Sequence, residues 1–224
     1  MNWFSSLFSS TLGKKLVMAL TGLFLISFLI VHLAGNLQLL KADGGRAFNL
    51  YTEFMTTNPV IKTISYVLYA SILIHVLWSL ALTMLNRKAR GPERYVVVKN
   101  SSPWTSRNMG VLGSLIFIFL VIHLKDFWFQ MHWGGIGSVD YEGKQVKDLY
   151  SVVEVTFGQP WYVVLYVVSM LLLGFHLWHG FASAFQTLGL SHVKYSPVVK
   201  FIGRAFAIIV PAMFAGIPVV MFAF

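Results

Sequence analysis

Five runs of apolar residues, each long enough to cross a bilayer, decide most of what this chain can become. A helix needs about 20 apolar residues to span the hydrocarbon core. The runs meet that length at residues 14–39, 59–86, 107–130, 159–188 and 197–222. Inside lipid every backbone N–H and C=O must be paired within the chain, so runs of this length read as helices. Only 11% of the 224 residues are charged, where a soluble domain carries about 25%, and the mean hydropathy is +0.70. The fold class expected is all-α: a polytopic membrane protein with five transmembrane helices, forming one domain over residues 1–224. Pro59, Pro160 and Pro197 stand near the starts of spans, where a missing backbone N–H costs little. Pro211 and Pro218 fall inside the fifth span and should bend it.

The connections alternate in charge. One side carries Lys14, Lys15, Arg87, Lys88, Arg90, Arg94, Lys99, Arg107, Lys194, Lys200 and Arg204 against a single acid, Glu93. The other mixes Lys41, Arg46, Lys62, Lys125, Lys144 and Lys147 with Asp43, Glu53, Asp126, Asp140, Glu142, Asp148 and Glu154. The positive-inside rule then puts the N-terminus in the cytoplasm and the C-terminus outside. The net charge of +9 is thereby a topology signal, and nucleic acid is not an expected partner. The N-terminal segment has its basic pair after an apolar, serine-rich lead, the reverse of a cleaved signal peptide. The absence of cysteine excludes covalent c-type haem, thiolate-held iron–sulfur clusters and thiol redox chemistry.

Seven histidines occur. His132 and His192 fall in connections. His32, His75, His123, His176 and His179 lie within spans, where an ionisable residue is costly and normally faces a bundle interior with a partner. At about 1.5 Å per residue, His32 and His123 lie roughly 24–27 Å from the inner edge, and His75 and His176 roughly 18–20 Å. The histidines thus sort into an outer pair on spans one and three and an inner pair on spans two and four. Two such pairs suit two six-coordinate b-type haems stacked through a four-helix bundle, each iron taking one imidazole per face. Gly22, Gly35, Gly113, Gly174 and Gly180 lie near the pairs and could let flat macrocycles approach the backbone. Interhelical hydrogen bonding and a proton relay are the other readings of buried histidines. Of the two neighbours, His176, whose depth matches His75, is taken as the ligand; His179 could bond a propionate or fix packing and stays in reserve as the ligand.

The run SSTLGKKLVMALTGLFLISFLIVHLAGNL (9–37), His75, His123 and FHLWHGF (175–181) together resemble the cytochrome b subunit of succinate dehydrogenase and fumarate reductase. The resemblance is to the type with one five-helix anchor chain and two haems, and it covers nearly the whole chain. It implies two haem b groups in a four-helix bundle, His75 and His176 holding the inner one and His32 and His123 the outer. It implies a quinone substrate, expected to be menaquinone, and a flavoprotein and an iron–sulfur subunit docked on the cytoplasmic face of a bacterial inner membrane. The chain would carry electrons between them and would not act on succinate alone. Lys14, Lys15, Trp104 and Arg107 lie where inner-haem propionates should emerge, and cations and an indole N–H would pair with carboxylates there.

In one respect the chain departs from the resemblance. Some relatives of this type carry a glutamate two residues before the fourth ligand, as part of a proposed proton path; Gly174 stands here. No acid is expected inside a span core. For quinone proton exchange, Glu53 is the residue chosen, among Gln38, Asn36, Arg46, Asn49 and Lys125 near the outer pair, because the chemistry needs a proton donor or acceptor. The basic loop 87–107 is expected to help dock the iron–sulfur subunit, with Trp104 and Tyr95 as aromatic anchors. Two other functions fit buried histidines: the cytochrome b of a formate dehydrogenase or hydrogenase, and a proton-coupled transporter, the latter weakened by the lack of internal repeats.

Overall fold

The computed structural model describes residues 8–90 and 104–224. Five helices in it are long and apolar enough to cross a membrane. The first, α1 (Thr11–Asn36), starts where the Ser10 hydroxyl accepts the Gly13 N–H at 3.0 Å, and a 3-10 turn, Leu37–Leu40, extends it. A shorter helix, α2 (Arg46–Thr57), follows, then the second span, α3 (Pro59–Arg90). After one turn of helix, α4 (Trp104–Arg107), comes the third span: α5 (Met109–His123), a π-helical segment Leu124–Phe129, and α6 (Gln130–Trp133). A two-stranded antiparallel hairpin pairs β1 (Ser138–Tyr141) with β2 (Lys144–Lys147). Helix α7 (Leu149–Phe157) leads into the fourth span, α8 (Pro160–Thr187), and the fifth is α9 (Ser196–Ala223). The spans agree with the apolar runs to within a few residues at most ends. Pro160 opens α8 and Pro197 stands at the start of α9, whereas Pro211 and Pro218 lie inside α9.

Helices α1, α3, α5 and α8 close into a ring in which each packs against the next: α1 on α3, α3 on α5, α5 on α8, and α8 on α1. The diagonals α1–α5 and α3–α8 do not pack closely, so the centre of the ring is left to side chains. Helix α9 stands outside the ring, against α8 and α1. Its contact with α8 is intimate: a Cβ on Gly203 would run into the Phe181 ring, and one on Gly174 would lie 3.0 Å from the Ala207 carbonyl.

One end of the bundle is covered by α2, the hairpin and α7. The largest buried apolar cluster lies beneath this cap and includes Leu33, Phe48, Phe127, Met131, Leu149, Val153, Phe157, Tyr166 and Ile217. Asn49, fully buried, ties the cap together: its Nδ2 donates to Tyr141 Oη (3.1 Å) and Asp148 Oδ1 (2.9 Å), and its Oδ1 accepts the Tyr150 N–H (2.9 Å). Asp148 also caps α7 by accepting from Ser151. Gly45 enters α2 at φ +81°, and a Cβ there would collide with Tyr150, so both backbone and packing demand glycine. The opposite, basic end carries Lys14, Lys15, Arg87, Lys88, Arg107, Lys194, Lys200 and Arg204.

Candidate functional site

The four span histidines meet in two pairs, one on each diagonal of the ring. Toward the cap, His32 of α1 faces His123 of α5, with ring centroids 5.7 Å apart. Nearer the basic end, His75 of α3 faces His176 of α8 at 6.3 Å. All four are half-buried. His132 and His192 are exposed, and His179, one turn beyond His176, makes no hydrogen bond among the described residues. The pairing is a consequence of register: each histidine sits on the inward face of its helix at the depth where its diagonal partner also turns inward.

Neighbouring residues orient the rings. Thr21 of α1 lies 3.2 Å from His75 Nδ1. When the Thr21 hydroxyl proton goes to a backbone carbonyl of its own helix, Val17 at 2.9 Å or Met18 at 3.1 Å, its oxygen accepts from His75 Nδ1–H, the tautomer that leaves the Nε2 lone pair free. The next residue, Gly22, lets the ring approach: a Cβ there would lie 3.3 Å from His75 Cε1. Across the bundle a Cβ on Gly113 would lie 3.8 Å from His176 Cε1. In the other pair, His123 Nδ1 is 3.2 Å from Tyr166 Oη, and His32 Nδ1 is 3.3 Å from Asn36 Nδ2. Phe28 stacks on His32, Phe214 of α9 lies beside it, and Phe119 and Phe127 flank His123.

Three buried polar atoms, Trp78 Nε1, Thr105 Oγ1 and His176 Nδ1, have no hydrogen-bond partner among the described residues. Such groups are costly when left unpaired. Trp78 lies one turn beyond His75 on α3, toward the basic end. Thr105 lies on α4, which packs against α8, and its neighbour Trp104 meets Phe175, next to His176, edge-on at 5.8 Å. The unpaired donors thus belong to the same region as the basic-end pair. Lys14 is half-buried, and Lys15, Trp104 and Arg107 are exposed at that end.

Other expected residues fall elsewhere. Of the five glycines expected against a macrocycle, Gly22 and Gly113 face histidines, while Gly35 is filled by the Tyr51 ring of α2 and Gly174 by α9. Gly180 meets only Met109, at 4.0 Å. Arg46 is paired with Glu142 of the hairpin, and Asn49 is consumed by the cap. Glu53 is half-buried on α2, and its carboxylate makes no hydrogen bond among the described residues. Arg94 and Tyr95 lie outside the described residues.

Asp126, counted by charge with the outer acids, is buried. It sits inside the third span, only 9% exposed, with Oδ1 accepting from Lys125 Nζ (3.0 Å) and Oδ2 from Tyr162 Oη (2.9 Å). It falls in the π-helical segment, where it and Phe127 both face the buried side. The spacing of Asp126, three residues after His123 and so on a neighbouring face of a helix, was the available signal. Nothing comparable pointed to Thr21, Trp78, Thr105 or Tyr166, whose roles arise between helices.

Among the described residues no three His, Cys, Asp or Glu side chains converge to cage a metal ion; the histidines offer two donors at a time. No protein-family model, curated protein or solved structure matches the chain.

Proposed function

We propose that the chain is a di-haem b membrane anchor of a succinate:quinone oxidoreductase, passing electrons between a flavin and iron–sulfur dehydrogenase and membrane quinone. The observation that carries the reading is the pair of opposed imidazoles on each diagonal of one bundle. An imidazole nitrogen sits about 2 Å from a metal it ligates, with the ring centroid about 1 Å further, so two rings on one metal have centroids roughly 6 Å apart. The observed 5.7 and 6.3 Å fit that spacing. Two donors per site would suit an iron whose other ligands come from a macrocycle, and such a group, when bound, would supply one-electron transfer.

The remaining roles belong to the protein. His75 and His176 would hold one iron, His32 and His123 the other. Thr21 would fix the His75 tautomer, an outer contact of the kind that metal-binding histidines normally possess. Gly22 and Gly113 would keep backbone bulk away from the basic-end site. Trp78 Nε1 and Thr105 Oγ1 would donate to the carboxylates of the group held there, with Lys14, Lys15, Trp104 and Arg107 supplying charge and a further N–H nearer the surface. The flavoprotein and iron–sulfur subunits would dock on the basic end, which in this reading faces the cytoplasm of a bacterium, leaving the capped end outside. The quinone would be menaquinone.

A pyridine haemochrome assay on pure protein tests the reading, with two b-type haems per chain expected. One haem at full occupancy defeats the two-haem arrangement, and none defeats the redox function. A formate dehydrogenase or hydrogenase cytochrome b would share the diagonal histidines, so the subunits that co-purify decide between the partners.

A further inference from the structure

The last acidic residue of the chain is Glu154. Neither α8, nor α9, nor the turn between them therefore carries a carboxylate side chain, yet this region holds Lys194, Lys200 and Arg204. The two ion pairs among the described residues lie elsewhere. Ser196, Lys200 and Arg204 follow one another at intervals of four on α9 and so share a stripe of the helix. Each step advances about 6 Å, which puts Arg204 about 12 Å along a membrane span. A charge at such a position is costly and points to a partner.

These three residues line a cleft of about 420 Å³ with Val193, Pro197 and Phe201. Ser196 Oγ accepts the His192 N–H at 2.9 Å, which leaves the hydroxyl proton to donate. Arg204 is held against α8: its Cζ lies 5.3 Å from the centroid of the Trp178 ring. A cation–π contact of this kind fixes the guanidinium without neutralising it. Lys200 and Arg204 are both exposed, so the cleft has two uncompensated cations and a hydroxyl donor.

The shape of the surroundings selects the occupant. Helix α9 stands outside the four-helix ring. Phe201, 73% exposed, and Ile208, 58% exposed, carry the same side of α9 two turns onward as apolar surface. A soluble protein arriving from water meets the end of the helix and not this flank. A lipid meets both, with its phosphate at the cations and a chain along the apolar side chains. With no acid nearby to receive a choline or ethanolamine, the cleft favours a headgroup of net negative charge. Basic pockets between spans are suited to such headgroups.

We propose that this cleft binds the phosphate of an anionic phospholipid, paired with Lys200 Nζ and the Arg204 guanidinium and accepting from Ser196 Oγ, with an acyl chain along Phe201 and Ile208. The site is independent of the haem reading.

The test measures lipid binding to the purified protein in detergent by native mass spectrometry, with dioleoylphosphatidylglycerol and dioleoylphosphatidylcholine as probes. Phosphatidylglycerol should bind the more tightly. Lys200→Gln and Arg204→Gln should each weaken it about fivefold, as expected for one cation at a membrane surface. Lys194→Gln removes an equal charge outside the cleft and should leave the affinity unchanged. Equal binding of the two lipids, unchanged affinity in the double variant, or an equal loss in Lys194→Gln overturns the site. Displacement of the lipid by millimolar inorganic phosphate makes it a site for free anions and overturns the lipid. Loss of co-purifying soluble subunits from the double variant, with lipid affinity kept, makes it a protein-docking surface instead. A photoactivatable phosphatidylglycerol on wild type should label residues 193–208; labelling confined to other segments refutes the proposal without any variant having to fold.

Discussion

Replacing Thr21 by Val tests whether the basic-end histidines are ligands or only packed rings. Valine keeps the shape of threonine and removes the acceptor 3.2 Å from His75 Nδ1. With the hydroxyl proton given to Val17 or Met18 of the same helix, the interaction lost is the one in which His75 Nδ1–H donates. The consequence is twofold. A buried N–H is left unpaired, at a cost of about 1–3 kcal/mol. The ring is also free to move its proton to Nε2, the nitrogen that must stay bare to bind a metal. Loss of such an outer contact typically weakens metal binding about 10- to 100-fold, which corresponds to about 1.4–2.8 kcal/mol.

The assay is haem transfer from the pure protein to excess apomyoglobin, followed by visible spectroscopy. In Thr21→Val, one of the two haems should leave with at least about tenfold weaker retention, and the other should be unaffected. Thr21→Ser keeps the acceptor and should behave as wild type. Equal retention in the valine and serine variants refutes the argument, because a ring that is not a ligand has no use for a fixed tautomer.

Three further outcomes follow from the same geometry. His176→Ala should leave one haem per chain while His179→Ala keeps both, as read by pyridine haemochrome; the reverse result moves the ligand to His179. Asn49→Ala removes three hydrogen bonds from a fully buried position and leaves the Tyr150 N–H and Tyr141 hydroxyl unpaired. It should destabilise the cap by about 2–4 kcal/mol, seen as faster hydrogen exchange over 138–157. Burial pushes the Asp148 carboxyl up, but the hydrogen bonds from Ser151 and Asn49 outweigh it and hold the group below its ordinary value. Its contribution is thus complete above the unfolded value of about 3.9 and is lost as pH falls through the lower folded value. Exchange over 149–157 should therefore quicken below about pH 4 in wild type, and less so in Asp148→Asn.

The parts legible in the sequence are those set by one helix at a time. Span length follows from hydropathy, and histidine depth follows from a fixed rise per residue, so the assignment of His32 with His123 and His75 with His176 could be made before any contact was known. What depends on two elements meeting was hidden. Gly35 and Gly174 looked equivalent to Gly22, yet Tyr51 and α9 occupy their faces, and no property of a lone glycine says which neighbour will arrive. The cap was invisible for a related reason: residues 41–58 and 134–158 are polar enough to pass for loops, and only Asn49, reaching Tyr141, Asp148 and Tyr150 at once, turns them into a folded lid. Asp126 is the most instructive failure. Charge counting placed it with the aqueous outer acids, because an acid next to a lysine near a span end is normally solvated. Within the π-helical segment Asp126 turns toward Tyr162 and the bundle interior, while the Lys125 side chain stays outside. Hydropathy averaged over a span does not register which of two adjacent charges faces inward.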